Sequence, residues 1–406
     1  MVIQIYGTPN DDQAIRDLKK GDINDALSYE YEPFFCGVGT FTLELPLTTP
    51  FATELVENNL LYIKEDDTGL IIKNVKRSND KITVVGYDLN GMLLDRITME
   101  RDTGVEGAEG KDCVSGSTET CVKHFVEYNM ISSSDIFRNY PRLAVAEDLG
   151  RGIANDSDLV GKECLEDVVR TLCEGAGLGY RIKLVMNESQ TEPLLIFDVY
   201  EREDHTADQS ERNRVIFSEG MGNLTQIERE TGITAEKNAV WCDTGGENMF
   251  VYKTDEDGEP FNPVSWDRRE EYISLSVTDS YDTEEIELTA RKQMADKYAQ
   301  TDSLTIEAGN PLDYGTVYKL GDIVTVYDKK RSLQLNSVIS SVLIKRSGEE
   351  YSVQITLGER KPKLLDKYVK QNQLQRKAQT DFPPTQSGMI THGKLESYSY
   401  ISDNSI

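Results

Sequence analysis

Residues 319–358 show the clearest alternation of apolar and polar positions in the chain. Apolar and polar residues alternate strictly at 351–357, apolar residues at 338, 342 and 344 point one way along the preceding run, and 323–327 is a third apolar run. A period of two is typical of a strand with one buried face. The polar segment 347–350 supplies a turn between the last two runs. The stretch therefore predicts three antiparallel strands, which need other strands to cover their apolar face as a small barrel or sandwich.

The first hundred residues repeat this alternation. Strands are predicted at 2–6, 41–46, 59–64, 70–75 and 81–87. Residues 65–69, Glu-Asp-Asp-Thr-Gly, form a turn between the third and fourth of these strands. Residues 88–95 predict one or two helical turns, and 10–25 is a polar segment. We therefore predict a small β-barrel at 1–100.

The pattern changes to a helical period after residue 117. Apolar residues spaced three and four apart predict helices at 118–130 and 161–174, and Gly175 or Gly177 ends the second. Residues 101–117 are rich in glycine and acid, which predicts a loop. Strands are predicted at 179–182 and 194–200. Together these elements predict an inserted α+β domain at 101–210.

Strands resume after residue 214. They are predicted at 215–218, 222–227 and 238–242. A hairpin follows at 243–266, with its turn at 255–258, and then a helix at 283–300. These two elements give an inserted hairpin-helix domain at 243–302. Residues 363–406 predict a C-terminal helix, to about 377, and a polar tail that orders only against a partner.

Chain length, composition and net charge limit the classes of protein to which this chain can belong. The 406 residues are 38% hydrophobic, which predicts two to four domains with buried cores. Seventy-one acidic against 44 basic residues give a net charge of −27. Such a surface repels phosphates and anionic lipid, so we predict no stable nucleic-acid binding, although plain solubility also explains the charge. The sequence contains no run of about 18 apolar residues, so no membrane span is predicted. The first residues show no signal-peptide pattern.

Neither the histidines nor any known catalytic motif points to a catalytic residue in this sequence. There are three histidines: His124 on a predicted helix, where a structural role is expected, His205 in a polar loop, and His392 in the tail. No metalloprotease, serine-hydrolase or β-lactamase motif is present. We therefore predict no catalytic, cofactor-binding or metal-binding residues, no cofactor, and a protein that is not an enzyme.

Three further features favour a structural role. The six cysteines form no CxxC pair, and Cys164 and Cys173 on a predicted helix indicate reduced core thiols made in a cytoplasm. Residues 255–258 begin like a calcium loop, but position twelve is Trp266 rather than glutamate, so a hairpin turn is favoured. The glycine-rich run 175–179 follows a helix, whereas a phosphate cradle precedes one, so a helix stop is favoured.

The order of these segments resembles the baseplate hub proteins of long-tailed phages and the N-terminal part of tail-associated lysins. The matching stretches are Gly37–Pro46, Gly86–Leu89, Leu93–Ile97, Val199–Asp204, Val215–Ser218, Gly222–Leu224, Lys237–Asn238, Leu320–Val324 and Val353–Gly358. The family often has Gly-Arg-Asp where this chain has Glu201-Arg202-Glu203-Asp204. The shared order extends over residues 1–360.

This resemblance implies a mainly β, α+β chain with two similar small β-barrel hub domains and inserted α+β domains. The first barrel would be 1–100, and the second would be built from 211–242 and 303–362. A homotrimer would then present six barrels, matching a hexameric tail tube above and a threefold tip below. Implied partners are the tail tube or distal tail protein, a tip, spike or fibre protein, and the tape-measure protein. The implied location is the virion tail, assembled in the bacterial host cytoplasm.

Two other functions stay open from the sequence. A cell-wall-degrading peptidase or glycan hydrolase would need paired carboxylates or a metal, and the many acidic residues leave that open. Family members often continue into such a hydrolase, whereas the 406 residues here predict none. A carbohydrate-binding module would need exposed aromatic residues, for which Trp266, Tyr398 and Tyr400 are the candidates, although core or interface packing is favoured for them.

Overall fold

The computed structural model describes most of the first 358 residues. The described ranges are 1–9, 18–101, 112–160, 162–185, 195–233, 236–243, 248–254, 261–274, 286–287, 290–291, 294, 301–330 and 333–358. The chain divides into two compact units, Met1–Lys361 and Pro362–Ile406, and every described residue belongs to the first. The helix and tail predicted at 363–406 lie outside the described residues.

The first hundred residues are almost entirely β. The strands are β1 (Ile3–Tyr6), β2 (Lys19–Ile23), β3 (Ser28–Glu32), β4 (Thr40–Pro46), β5 (Leu60–Ile63), β6 (Thr68–Arg77) and β7 (Lys81–Asp88). All five strands predicted here are confirmed, while β2 lies wholly within the segment 10–25, which was expected only to be polar. The predicted helical turns are a 3-10 helix, Leu89–Asp95, whose first turn is capped by the Asp88 carboxylate accepting from the Asn90 N–H.

Residues 112–201 form the inserted α+β region. Its elements are β8 (Asp112–Ser117), α1 (Thr118–Met130), β9 (Leu143–Val145), β10 (Ala154–Val160), α2 (Leu165–Ala176), β11 (Leu178–Leu184) and β12 (Leu195–Glu201). The loop expected at 101–117 is wrong for 112–117, because β8 pairs with β10 there. Helix α2 begins at 165 rather than 161, since β10 extends to Val160. It ends at Gly177 in the left-handed region (φ 68°), as predicted.

The two helices and the sheet of this region share one apolar core. Strand β12 lies between β11, which is antiparallel to it, and β9, which is parallel. Phe125 and Val126 of α1, Val169 of α2 and Phe197 of β12 are fully buried in this core. The three-four spacing that predicted the helices therefore marks their packed faces.

The rest of the described chain returns to β. Its strands are β13 (Ile216–Phe217), β14 (Leu224–Gly232), β15 (Ala239–Asp243), β16 (Met249–Tyr252), β17 (Glu270–Ser274), β18 (Thr301–Ala308), β19 (Ile323–Asp328), β20 (Leu333–Ser347) and β21 (Glu350–Gly358). The three strands predicted at 319–358 are confirmed as β19, β20 and β21. Each is antiparallel to its neighbour in sequence.

Thirteen of the described strands form one continuous sheet. Its main order is β14-β18-β21-β20-β3-β4-β7-β6-β5-β1-β2, and β19 pairs with β20 and β13 beside this path. The strands of the first hundred residues and those that follow residue 215 meet where β20 pairs with β3. Ile344 lies opposite Tyr31 and Lys345 opposite Glu30. The apolar faces of both halves contribute to one buried cluster. The chain is thus mainly β with few helices, and its division into two similar barrels stays a prediction.

A small separate sheet lies at 239–274. Its order is β16-β15-β17, with β16 antiparallel and β17 parallel to β15. The hairpin predicted at 243–266 is therefore wrong in its second arm, since residues 261–269 contain no strand and β16 pairs with the preceding strand instead. The predicted turn at 255–258 lies outside the described residues. Residues 286, 287, 290, 291 and 294 are helical, in agreement with the helix predicted at 283–300 as far as it is described.

Candidate assembly surface

One face of the long sheet is polar from strand β14 to strand β7. Buried apolar residues alternate along these strands with part-exposed polar ones, because successive side chains point to opposite faces. The outward side chains form what we name the polar sheet face: Gln226, Glu228, Thr305, Glu307, Ser352, Gln354, Thr356, Glu30, Thr40, Thr42, Glu44 and Thr83. Leu343 of β20 and Val85 and Tyr87 of β7 lie among them on the same face, so the surface over these seven strands is mainly polar with a few part-exposed apolar side chains.

Charges on this face are partly neutralised by pairing. Lys81 Nζ lies 2.6 Å from Glu44 Oε1, and Lys345 Nζ lies 3.5 Å from Glu30 Oε1. The hydrogen bond from Lys81 lowers the pKa of the Glu44 carboxyl group. Glu228 and Glu307 add negative charge near the β14 end. The face is thus hydrophilic and mildly acidic, a surface that binds polyanions poorly.

The main path of the sheet ends in two edge strands among those described. Strand β14, Leu224–Gly232, pairs on one side with β18 and ends the sheet path, and β2, Lys19–Ile23, pairs on one side with β1 and ends it at the opposite end. An edge strand presents N–H and C=O groups that can pair with another chain. These two strands are therefore candidates for contacts between subunits.

The small sheet is apolar on both faces. Val240, Cys242, Val251 and Ile273 are buried against the helical residues Ile286, Ala290 and Met294. On the opposite face Trp241 is in register with Phe250 of β16 and with Tyr272 of β17. The Trp241 and Phe250 ring centroids are 4.7 Å apart, and the Arg268 guanidinium lies 4.7 Å from the Phe250 centroid. Tyr272 is 56% exposed.

Trp266, the aromatic residue singled out from the sequence, lies in the loop before β17 and is 95% exposed. Core packing within the chain, one of the two roles favoured for it, is therefore wrong. Tyr398 and Tyr400 lie outside the described residues. The alternation of Trp241 with Val240 and Cys242 is the sequence signal that could have pointed to the aromatic row across the sheet.

The loop 33–39, which connects β3 to β4, packs between the long sheet and the inserted region. The Phe35 N–H donates to the Ser340 carbonyl of β20. The Phe35 ring packs edge-on against Tyr200 of β12, with centroids 5.6 Å apart, and the Arg202 guanidinium covers it at 4.9 Å. The Asn90 side chain bridges the same junction, donating to the Gly37 carbonyl and accepting from the Ile182 N–H.

Two thiols meet at this junction. Cys36, in the same loop, approaches the Arg170 carbonyl of α2 with its Sγ at 3.6 Å. Cys173 follows one helical turn later and is fully buried. Burial and the neighbouring Cys173 thiol raise the pKa of Cys36 well above its usual value. All six cysteines are reduced in the structure.

Two buried acids hold the long sheet together. Asp88 accepts hydrogen bonds from the Gly39 N–H at 2.9 Å and the Asn90 N–H at 3.1 Å, and burial raises its pKa to about 7. Asp66 forms an ion pair at 2.6 Å with Arg346 of β20. Neither acid was singled out from the sequence, since a lone carboxylate in a turn or at a strand end carries no distinctive pattern.

The described histidines lie in ordinary hydrogen-bonded settings. His124 Nε2 is 2.8 Å from the buried Asp112 Oδ2, which fits the structural role expected for it. His205 Nδ1 is 2.7 Å from the Asn213 carbonyl, and its Nε2 is 3.7 Å from Asp322. His205 lies in a loop, as expected, and its side chain is 12% exposed. His392 lies outside the described residues.

The part of the chain that the structure describes contains neither a metal-binding cluster nor a membrane-spanning helix. No group of three or more histidine, cysteine or acidic side chains in that part is arranged to hold a metal ion. None of the helices found there combines the length and apolar character needed to cross a bilayer.

The fold is similar to those of solved phage tail proteins. Over 88% of this chain and 98% of the other, the structure is similar to the prophage MuSo2 43 kDa tail protein from Shewanella oneidensis, with 12% identity and a TM-score of 0.52. A tail protein from Neisseria meningitidis MC58 is similar over 88% and 96% of the two chains, with 11% identity and a TM-score of 0.50. These similarities show a shared fold. No curated protein sequence matches the chain.

The family is shown by a match to residues 12–359, which covers most of the chain. The resemblance to phage tail proteins inferred from the order of the sequence segments is confirmed by this match and by the shared fold. The chain belongs to the Siphovirus ReqiPepy6 Gp37-like protein family.

Proposed function

We propose that three copies of this chain form the hub ring of a phage tail baseplate. The ring would adapt the hexameric tail tube to the threefold tip and leave a channel for DNA or the tape-measure protein. The observation that carries this proposal is the continuous sheet, in which β20 and β3 join two runs of antiparallel strands side by side. Three such double units offer six similar surfaces to a sixfold tube.

The edge strands support closure into a ring. Strand β14 of one copy and β2 of the next present open backbone groups at opposite ends of the sheet path. Pairing such edges between copies satisfies these groups and removes exposed edges from the assembly. A head-to-tail contact of this kind forms a closed ring when the rotation between copies is one third of a turn.

The polar sheet face supports the channel. Threonine, serine and glutamine side chains with paired charges give DNA no cluster of cations to bind, so it would slide past. The overall charge of −27 acts in the same direction. The tail tube or distal tail protein, a tip, spike or fibre protein, and the tape-measure protein are the proposed neighbours in the virion tail, with assembly in the host cytoplasm.

The mass of the purified complex tests the ring. Native mass spectrometry should give three times the mass of one chain, and electron microscopy of tails should show threefold symmetry at the hub. A monomer that stays monomeric with its tail neighbours present would contradict the proposal. If the polar sheet face lines the channel, the double variant Thr305→Arg, Thr356→Arg should leave assembly intact but slow DNA ejection, whereas Thr316→Arg on an exposed loop should change neither.

A cell-wall-degrading enzyme is the alternative function. Incubating the purified full chain with bacterial cell walls, and measuring clearing, distinguishes it from the hub. Clearing by this chain alone would favour the enzyme, while a trimer that leaves the walls intact would favour the hub.

A further inference from the structure

We propose that Cys36 and Cys173 are a thiol pair that oxidises to a disulfide, which links the loop 33–39 to helix α2. The inference concerns the junction between the long sheet and the inserted region. Its chemistry is independent of the hub ring, but its place in the life of a tail rests on the proposed function. A chain made in a reducing cytoplasm meets dissolved oxygen once the particle leaves the cell.

Two contacts bring the Cys36 sulfur to the face of α2 that carries Cys173. Cys36 Sγ lies 3.6 Å from the Arg170 carbonyl, and Arg170 and Cys173 are neighbours on one face of α2 because they are three residues apart. Side chains of a helix tilt towards its N-terminus, so the Cys173 side chain covers the turn that contains Arg170. Cys36 packs against the same apolar cluster in which Cys173 is fully buried. A disulfide needs the two side chains to approach from facing elements, and a loop packed on a helix supplies that arrangement.

The loop is held in place independently of the thiols. The backbone of Phe35 is bonded to Ser340, the Phe35 ring is packed against Tyr200, and Asn90 is bonded to the Gly37 carbonyl. Cys36 is therefore fixed between two anchored neighbours. Little backbone entropy remains to be lost when the bond forms.

The reaction balances with oxygen as the oxidant. Each thiol gives up one hydrogen, the two sulfur atoms form one S–S bond, and the two electrons and two protons convert O2 to hydrogen peroxide. The thiolate is the reactive species, and burial raises the pKa of Cys36, so the reaction is slow near neutral pH. Slow oxidation keeps both thiols reduced during assembly.

Peptide mapping of the wild-type full chain tests the proposal directly. After exposure to dissolved oxygen at pH 8, the denatured chain should have lost two hydrogen atoms, and the linked peptides should contain Cys36 and Cys173. The rate should rise about tenfold from pH 7 to pH 8, because the thiolate fraction rises tenfold per unit below the pKa. A linkage between any other two of the six cysteines, or no loss of hydrogen, would overturn the proposal.

Variants and thermal unfolding supply the controls. Cys36→Ser and Cys173→Ser should each abolish the linkage, whereas Cys242→Ser, which changes a cysteine of the small sheet, should leave it intact. The oxidised wild type should melt about 5 °C higher than the reduced protein, since the crosslink closes a long loop. A thiol reductant should reverse that shift. The oligomeric mass measured on the same samples reports separately on the ring, so either proposal can fail alone.

Discussion

The ring of Phe35 occupies the space that a side chain on Gly321 would need. A β-carbon at position 321 would lie 2.3 Å from Phe35 Cδ2, and Gly321 itself has a φ of +95°, which side chains disfavour. Gly179 meets the same ring from the inserted region, where a β-carbon would lie 2.6 Å from Phe35 Cε2. The absence of a side chain at both glycines thus leaves room for the Phe35 ring to pack at the junction between the long sheet and the inserted region.

Substitution of either glycine should destabilise the chain. Gly321→Ala adds a clash and a strained backbone, so we expect the free energy of unfolding to fall by about 3 kcal/mol, and Gly179→Ala should cost about 2 kcal/mol. Gly175→Ala is the matched control. Its β-carbon meets nothing within 4 Å and it lies in α2, so this change should stabilise by about 0.5–1 kcal/mol. Denaturant unfolding of the three variants checks the order, and equal stabilities would contradict it.

The ion pair between Asp66 and Arg346 should matter more than a pair on the surface. The two side chains are only 10% and 23% exposed, and Arg346 also covers the Tyr351 ring at 4.0 Å. Burial raises the pKa of Asp66, and Arg346 opposes that rise. Arg346→Met leaves a buried carboxylate without its cation, so we expect a loss of about 2 kcal/mol.

The control for this pair is Lys330 with Glu219, whose side chains are 74% and 43% exposed. Lys330→Met should cost less than about 0.5 kcal/mol, since solvent screens the attraction. A double-mutant cycle of Asp66→Asn with Arg346→Met measures the coupling directly. A coupling energy no larger than that of the surface pair would show that burial adds nothing.

Asp88 should make stability depend on pH. Burial raises its pKa to about 7 in the folded chain, whereas the unfolded value is near 3.8. The folded state therefore binds the proton more tightly, so the contribution is fully present below about pH 4, is lost as the pH rises towards 7, and is flat above. The slope between these values approaches about 1.4 kcal/mol per pH unit. Asp88→Asn should remove this part of the slope in melting curves from pH 4 to 8, and identical slopes would refute the assignment.

Neighbouring positions on strand β17 should respond in opposite ways. Ile273 is buried under the helical residues of the small sheet, so Ile273→Ala should lower the free energy of unfolding by about 3 kcal/mol. Tyr272 is 56% exposed on the aromatic face, and Tyr272→Thr should cost less than about 1 kcal/mol. Thermal melts of the small-sheet variants compare the two. The reverse order would mean that the faces of the sheet are wrongly assigned.

Local patterns predicted most strands and helices because burial of one face leaves a period in the sequence. Strands β19, β20 and β21 follow from alternation, and α1 and α2 follow from three-four spacing. The loop expected at 112–117 is a strand because β8 obtains its partner β10 from beyond α1, and no local signal contains that pairing. Distance also hides the contact of β20 with β3, in which Ile344 meets Tyr31.

The candidate surface was less accessible to sequence reasoning than the fold. The glycine-rich run 175–179 was correctly interpreted as a helix stop, but its last glycine serves Phe35, which lies far away in sequence. Cys173 was expected to be a buried thiol, while its neighbour Cys36 could not be foreseen, because the packing of the loop on α2 is a tertiary contact. Alternation identifies the polar positions of a strand but leaves open whether water, DNA or another subunit covers them.

The pairing of β3 with β20 has a consequence for synthesis on the ribosome. Strand β3 is made early, yet its neighbour emerges only after more than three hundred further residues have been translated. Until then one side of β3 stays open, so a nascent or truncated chain carries an additional unprotected edge. A chain that stops before β20 therefore cannot close the centre of its own sheet.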